Sequence, residues 1–264
     1  MTVAALGVLG AAYFVEIPVW GERIASGVGL TMAATALAWR TGGRPLIPLA
    51  LVAIGAAAVI VADRGFLYAG ATVATAIVVG VLALMLTQPA ATYLRTVREV
   101  LVAIGVATAG GLAVTGWHAE LDHDRYDYVV LGGAILLAGV LVYRLGAGFH
   151  GLGRRGYLVA GAALLLIASA LAYSEALSRW GPTGLLEQFQ DFRFWIRDLI
   201  GAVPHPIEAV LGIPAIAYGA FVRARRRQGW WVVAFGAAAT APSTERFMEH
   251  GTSVQGVVLG AVYS

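Results

Sequence analysis

The sequence predicts an all-α membrane protein, a polytopic bundle of about ten transmembrane helices with one interfacial amphipathic helix. Three observations predict it, and the first is composition. Of 264 residues, 59% are hydrophobic and 12% charged, against roughly 45–50% and about 25% in soluble domains, so the outer surface has to face lipid. The second is where the charges fall. Cut at its polar interruptions, the chain leaves ten apolar segments whose connecting loops alternate. The loops after the second, fourth, sixth and eighth segments carry Arg40 and Arg44; Arg95 and Arg98; Arg144, Arg154 and Arg155; and Arg223, Arg225, Arg226 and Arg227, with Glu99 as the acid among them. The remaining loops carry acids, including Glu22, Asp63, Glu120, Asp191 and Glu245. Arginine-rich loops stay in the cytoplasm, which puts the amino terminus there and the protein in the plasma (inner) membrane. The third is tryptophan: Trp20, Trp39, Trp117, Trp180, Trp195, Trp230 and Trp231 all fall at segment ends or in loops, as expected of rings that prefer the headgroup level.

The segments run in order over residues 2–20, 24–39, 46–62, 66–87, 100–117, 128–143, 157–173, 203–222, 229–242 and 252–264. The first is read as a retained helix and not a signal peptide, because no Lys or Arg precedes Arg23 and Glu16 and Pro18 interrupt it. The second, ninth and tenth are short for the roughly 20 residues a crossing needs; the last two either cross or form a re-entrant pair. Between the seventh and eighth lies "LLEQFQDFRFWIRDLI", in which Leu185, Phe189, Phe192, Ile196 and Leu199 share one helical face and Glu187, Asp191, Arg197 and Asp198 lie on the other side. It predicts an outer-face amphipathic helix over 184–200, lying on lipid or on the protein itself. The whole chain, 1–264, is one multi-pass domain, and the echo of "LVAIG" at 51–55 and 101–105 is of the kind such a composition produces by chance.

Several chemistries are excluded. There is no cysteine, and all 18 basic residues are arginine, so thiolate and lysine Schiff-base mechanisms are out. No P-loop and no G-x-S-x-G elbow occurs. The net charge of +3 is spent on orienting loops, so nucleic acid is not an expected partner; the lipid bilayer is, with a small molecule or a lipid as substrate. The sequence points to no cofactor and no oligomeric state.

The candidate substrate-binding residues are Glu16, His205 and Glu208. In "PHPIE" a histidine sits between Pro204 and Pro206, with Glu208 three residues later; in "YFVEIPVW" Glu16 lies two residues before Pro18. Proline at the first helical position and an acid in the first turn are ordinary helix-start chemistry. A carboxylate about one turn inside the outer boundary is nonetheless costly unless paired, protonated or hydrated, and two of them point to a shared outward-facing vestibule. On this reading the interior third of each segment lacks ionisable residues. His118, Glu120, Asp122 and His123, in "WHAELDHD", form a weak metal-ligand set without HExxH spacing; a solvated acidic loop is the plainer reading. His150 and His250 are lone loop histidines. Gly105, Ala109 and Ala113, at spacing four, predict a close-packing face. The function expected is a transporter or flippase-like carrier of a small or amphiphilic molecule. The alternatives are an outer-leaflet enzyme acting on a lipid-linked substrate and a non-catalytic subunit that docks a partner.

Overall fold

The computed structural model describes residues 10, 17–121, 123–145, 153–180, 195, 207–226 and 229–245. Among these, all regular structure is helical, and prolines and short polar turns set where each helix starts. Helix α1 (Val19–Arg40) begins directly after Pro18, whose carbonyl accepts the N–H groups of Gly21 and Glu22. It therefore starts before the predicted residue 24 and takes Glu22 and Arg23 into its first turn. Helix α2 (Leu46–Ala62) follows Pro45 and stops at Asp63, which adopts φ 45, a left-handed conformation that aspartate tolerates better than most residues. Helices α3 (Gly65–Leu86), α4 (Tyr93–Thr115), α5 (His123–Arg144) and α6 (Gly153–Trp180) follow. A π-turn over Glu208–Gly212 runs into α7 (Ile213–Arg223), and α8 (Gly229–Ala234) and α9 (Ala237–Glu245) complete the described chain. Three stretches, Gly65–Leu86, Tyr93–Thr115 and Tyr126–Arg144, are long and apolar enough to cross a membrane, and α2 is apolar but shorter. The predicted helix over 184–200 lies outside the described residues apart from Trp195, which is helical and exposed.

Helix α3 is the centre of the bundle, packed against α1, α4, α5 and α9. Val79, Val81, Leu84 and Met85 join Ile104, Val130, Val142, Ile216 and Val233 in the main core. Close approach is made at glycines: a methyl group at Gly110 would overlap Val79, and one at Gly133 would overlap Ile77. The predicted small face lies elsewhere on α4. Gly105 and Ala109 are exposed and nothing lies near Gly105, while Ala113 is buried against Gly29. Spacing four identifies a stripe but not the side it faces; the bulky residues of α3 made that choice.

Helices α2 and α6 are peripheral. Leu46, Leu51, Ile54 and Val61 of α2 and Leu158, Leu164, Leu165 and Leu166 of α6 are exposed. The buried set, by contrast, includes Ser26, Thr31, Thr72, Thr75, Thr87, Glu99, Glu208, Thr240, Ser243 and Thr244. Large apolar side chains outside and hydroxyls and carboxylates inside reverse the usual soluble pattern.

Candidate functional site

Two belts of charged side chains bracket the bundle. At one end Arg23 of α1 binds Asp63 (Nη1 to Oδ1, 3.0 Å), donates to the Tyr68 hydroxyl (3.0 Å) and lies 3.8 Å from the centre of that ring; Tyr68 donates in turn to Asp63 (2.9 Å). Beside them His118 meets Glu22 (Nε2 to Oε2, 2.9 Å). His118 has φ 50, so the turn after α4 is bent to reach this partner. Beneath this belt Trp117 is fully buried and donates to Thr75 Oγ1 (2.9 Å). The ring is at the end of its helix, as expected, but packs inside the protein instead of on its surface.

At the opposite end Arg40 Nε donates to the Met85 carbonyl (2.9 Å). The next residues, Thr87 and Gln88, are gripped from two sides. Arg223, at the end of α7, donates to Thr87 O (3.1 Å), Thr87 Oγ1 (2.7 Å) and Gln88 O (3.4 Å) and lies 4.1 Å from the centre of the Trp230 ring. Glu99 accepts the Gln88 N–H (2.6 Å) and a two-pronged contact from Arg98 (2.9 and 2.6 Å). Burial pulls the Arg223 guanidinium down to about 10, while Glu99 works the other way, so it remains a cation at neutral pH. Both Glu99 and Arg223 had looked like simple loop charges. They are buried ties between α3, α4 and α7.

Between the belts sits Glu208, with no exposed surface. Its depth follows from the packing register. Helix α7 runs antiparallel to α8 and α9: Gly219 abuts Val233, Gly236 abuts Ile216, Gly212 abuts Ala238 and Ala239, and the Glu208 carboxylate meets Ser243 (Oγ to Oε1, 3.0 Å). Helix α9 also runs antiparallel to α3, where Thr240 faces Gly80. Ser243, three residues on, is therefore level with about Ile77. At 1.5 Å per residue that level is about 12 Å from Met85 and about 14 Å from Tyr68, the α3 residues at which Arg40 and Arg23 bind. The sequence had placed Glu208 one turn inside an outer boundary and left the interior free of ionisable groups. Within the bundle, the structure places the carboxylate fully buried and, along α3, midway between the belts. The helix carrying it is seated by three glycine contacts, and those fix its height.

The backbone around Glu208 is irregular on both sides. The π-turn is followed by Pro214, which has no N–H for the carbonyl four residues back. Across from it, α8 and α9 are separated at Phe235–Gly236, where Gly236, Ala238 and Ala239 bond three residues back, and α9 contains Pro242. Hydroxyls crowd this stretch. Ser243, Thr240 and Thr244 are fully buried, and Thr240 Oγ1 has no hydrogen-bond partner among the described residues. Isolated π-turns and broken helices recur at ligand and ion sites.

The other candidates stand as follows. Glu16, His205 and Asp122 lie outside the described residues, as does the side chain of His123. Glu120 is exposed, and His118 is engaged with Glu22 rather than gathered with other ligands. Among the described residues no three His, Cys, Asp or Glu side chains converge on a possible metal position. Ser243 and Thr240 were missed by sequence reasoning, since hydroxyls in an alanine-rich helix carry no signal of their own; Pro242 beside Ser243 was the available hint. Compared with protein-family models, curated proteins and solved structures, the chain matches none.

Proposed function

We propose that the chain is a multi-pass carrier in the plasma (inner) membrane, built of about ten crossings with a cytoplasmic amino terminus, that moves a small or amphiphilic molecule past Glu208. One observation carries this reading: a fully buried carboxylate midway between two charged belts, set on a π-turn and facing a hydroxyl on a broken helix. An ionisable side chain in the middle of a bilayer is costly and marks ion or substrate pathways, and interrupted helices are how carriers build such sites. A merely structural role is served more cheaply by an apolar residue. Glu16 and His205 belong to the same proposed path on its outer side.

The test is movement across a sealed vesicle. Purified protein is reconstituted into liposomes and assayed with two probes, entrapped ethidium and a headgroup-labelled fluorescent phospholipid quenched from outside. The wild type should accelerate transfer of one of them, and Glu208→Gln should slow it about tenfold or more at equal incorporation. Wild-type vesicles that move neither probe, or a Glu208→Gln protein as fast as wild type, would overturn the reading.

A further inference from the structure

The end of the bundle that carries Arg40 and Arg223 presents positive charge beside exposed apolar side chains. Arg40, Arg44, Arg95 and Arg98 are all exposed there, and the stretches they border, residues 40–44 and 87–98, contain no acid. The acid that follows, Glu99, is buried and already holds Arg98 and the Gln88 N–H. Large apolar side chains stand among these arginines: Trp39 is 76% exposed, Tyr93 80% and Leu94 79%. The opposite end is built otherwise, since exposed Arg64 shares that surface with the exposed acids Asp63 and Glu120.

Helix α4 shows how far this surface extends. Glu99 accepts the Gln88 N–H, so the two are level, and the apolar stretch Gly65–Leu86 ends just before Gln88. Tyr93 precedes Glu99 by six residues on the helix, which at 1.5 Å per residue sets it about 9 Å farther out. The polar zone of a bilayer is of similar depth, about 5–8 Å on each side of the hydrocarbon core. Tyr93, Val97 and Leu101 follow at spacing four with Leu94 beside them, so an exposed apolar face runs from that zone back toward the hydrocarbon, flanked by Arg95 and Arg98. A soluble acidic partner would meet the arginines but leave the face that continues to Leu101 uncovered. A phospholipid covers both, with phosphate on guanidinium and chain on apolar side chains. We propose that this end of the bundle binds anionic phospholipid. Its phosphates are held by Arg95 and Arg98 of α4 and by Arg40 and Arg44 at the turn from α1 to α2, and its acyl chains lie along Tyr93, Leu94, Val97 and Leu101. A zwitterionic headgroup brings its own cation and offers these arginines no net charge, whereas an anionic one does, so the surface discriminates between them.

The inference rests on the membrane-spanning part of the proposed function and not on transport, so the two fail separately. Thermal unfolding of the purified full-length protein is followed in detergent micelles that contain phosphatidylglycerol or phosphatidylcholine at equal mole fraction. The wild type should unfold about 5 °C higher with phosphatidylglycerol, and the difference should shrink in about 0.5 M sodium chloride. The double variant Arg44→Gln, Arg95→Gln should lose roughly half of that difference or more, while Arg64→Gln at the opposite end should keep it. If the double variant does not fold, Arg95→Gln alone carries the comparison with Arg64→Gln. Equal wild-type midpoints in the two lipids would overturn the proposal. So would an Arg64→Gln loss as large as that of the double variant, which marks a diffuse effect of charge, or a full shift from inorganic phosphate without lipid, which makes the ligand a free anion. A protein that shows the lipid-dependent shift yet moves neither vesicle probe upholds this surface and removes the carrier.

Discussion

At the scale of single residues, glycine decides how closely these helices approach, and position in the sequence does not reveal which glycine matters. Gly212 and Gly105 both sit in alanine- and valine-rich stretches. A Cβ at Gly212 would fall on the backbone of Ala238 and Ala239, which cannot step aside as a side-chain end can; at Gly105 it would meet nothing. Gly212→Ala should therefore destabilise by about 1–3 kcal/mol, the usual cost of overpacking. Gly105→Ala should be neutral or gain roughly 0.5–1 kcal/mol from helix propensity. Unfolding midpoints in detergent check the pair, and equal shifts would contradict the packing. Glu208 shows the same limit from another side. Its identity and the prolines around it were legible in "PHPIE", but its depth was not, because depth depends on the contacts that Gly212, Gly219 and Gly236 make across space.

At the scale of elements, the short connection from α3 to α4 is held by buried charges rather than by its own turn chemistry. Arg223 supplies three bonds to Thr87 and Gln88 from a single planar fork, and Glu99 takes the Gln88 N–H. Lysine keeps the charge but cannot reproduce the fork. Arg223→Lys should thus cost about 1–3 kcal/mol, as buried acceptors on Thr87 and Gln88 lose their donors. The exposed Arg226→Lys should stay within about 0.5 kcal/mol. Denaturation of the two variants side by side separates a buried tie from a surface charge that only orients the chain. Reading loop charges for topology found the arginines and missed this role, because the loop rule counts charges and says nothing of which ones the fold swallows.

At the scale of the whole molecule, the two belts and the carboxylate between them make a prediction about sidedness. The chain has no cysteine, so single cysteines report cleanly. Glu120→Cys, beside the His118 belt, should react with an impermeant thiol reagent in intact cells, and Ala224→Cys, beside Arg223, only after permeabilisation. Both positions are exposed. The reverse pattern would invert the proposed orientation, and labelling of both from one side would dissolve the belts as opposite faces.

What the sequence determined by itself was helicity, the apolar outside and the grouping of arginines, since these follow from composition and from interruptions that any cut of the chain exposes. It also marked Glu208 as an acid in an apolar setting. The tertiary structure alone decided which charges are buried, that Trp117 lies inside, which glycines face a neighbour, and that Glu208 stands level with the middle of α3 against Ser243. Those facts arise between segments distant in the chain, 35 residues apart for Glu208 and Ser243. Hydroxyls and glycines gain their meaning only from the atom they meet, and a linear pattern does not contain that atom.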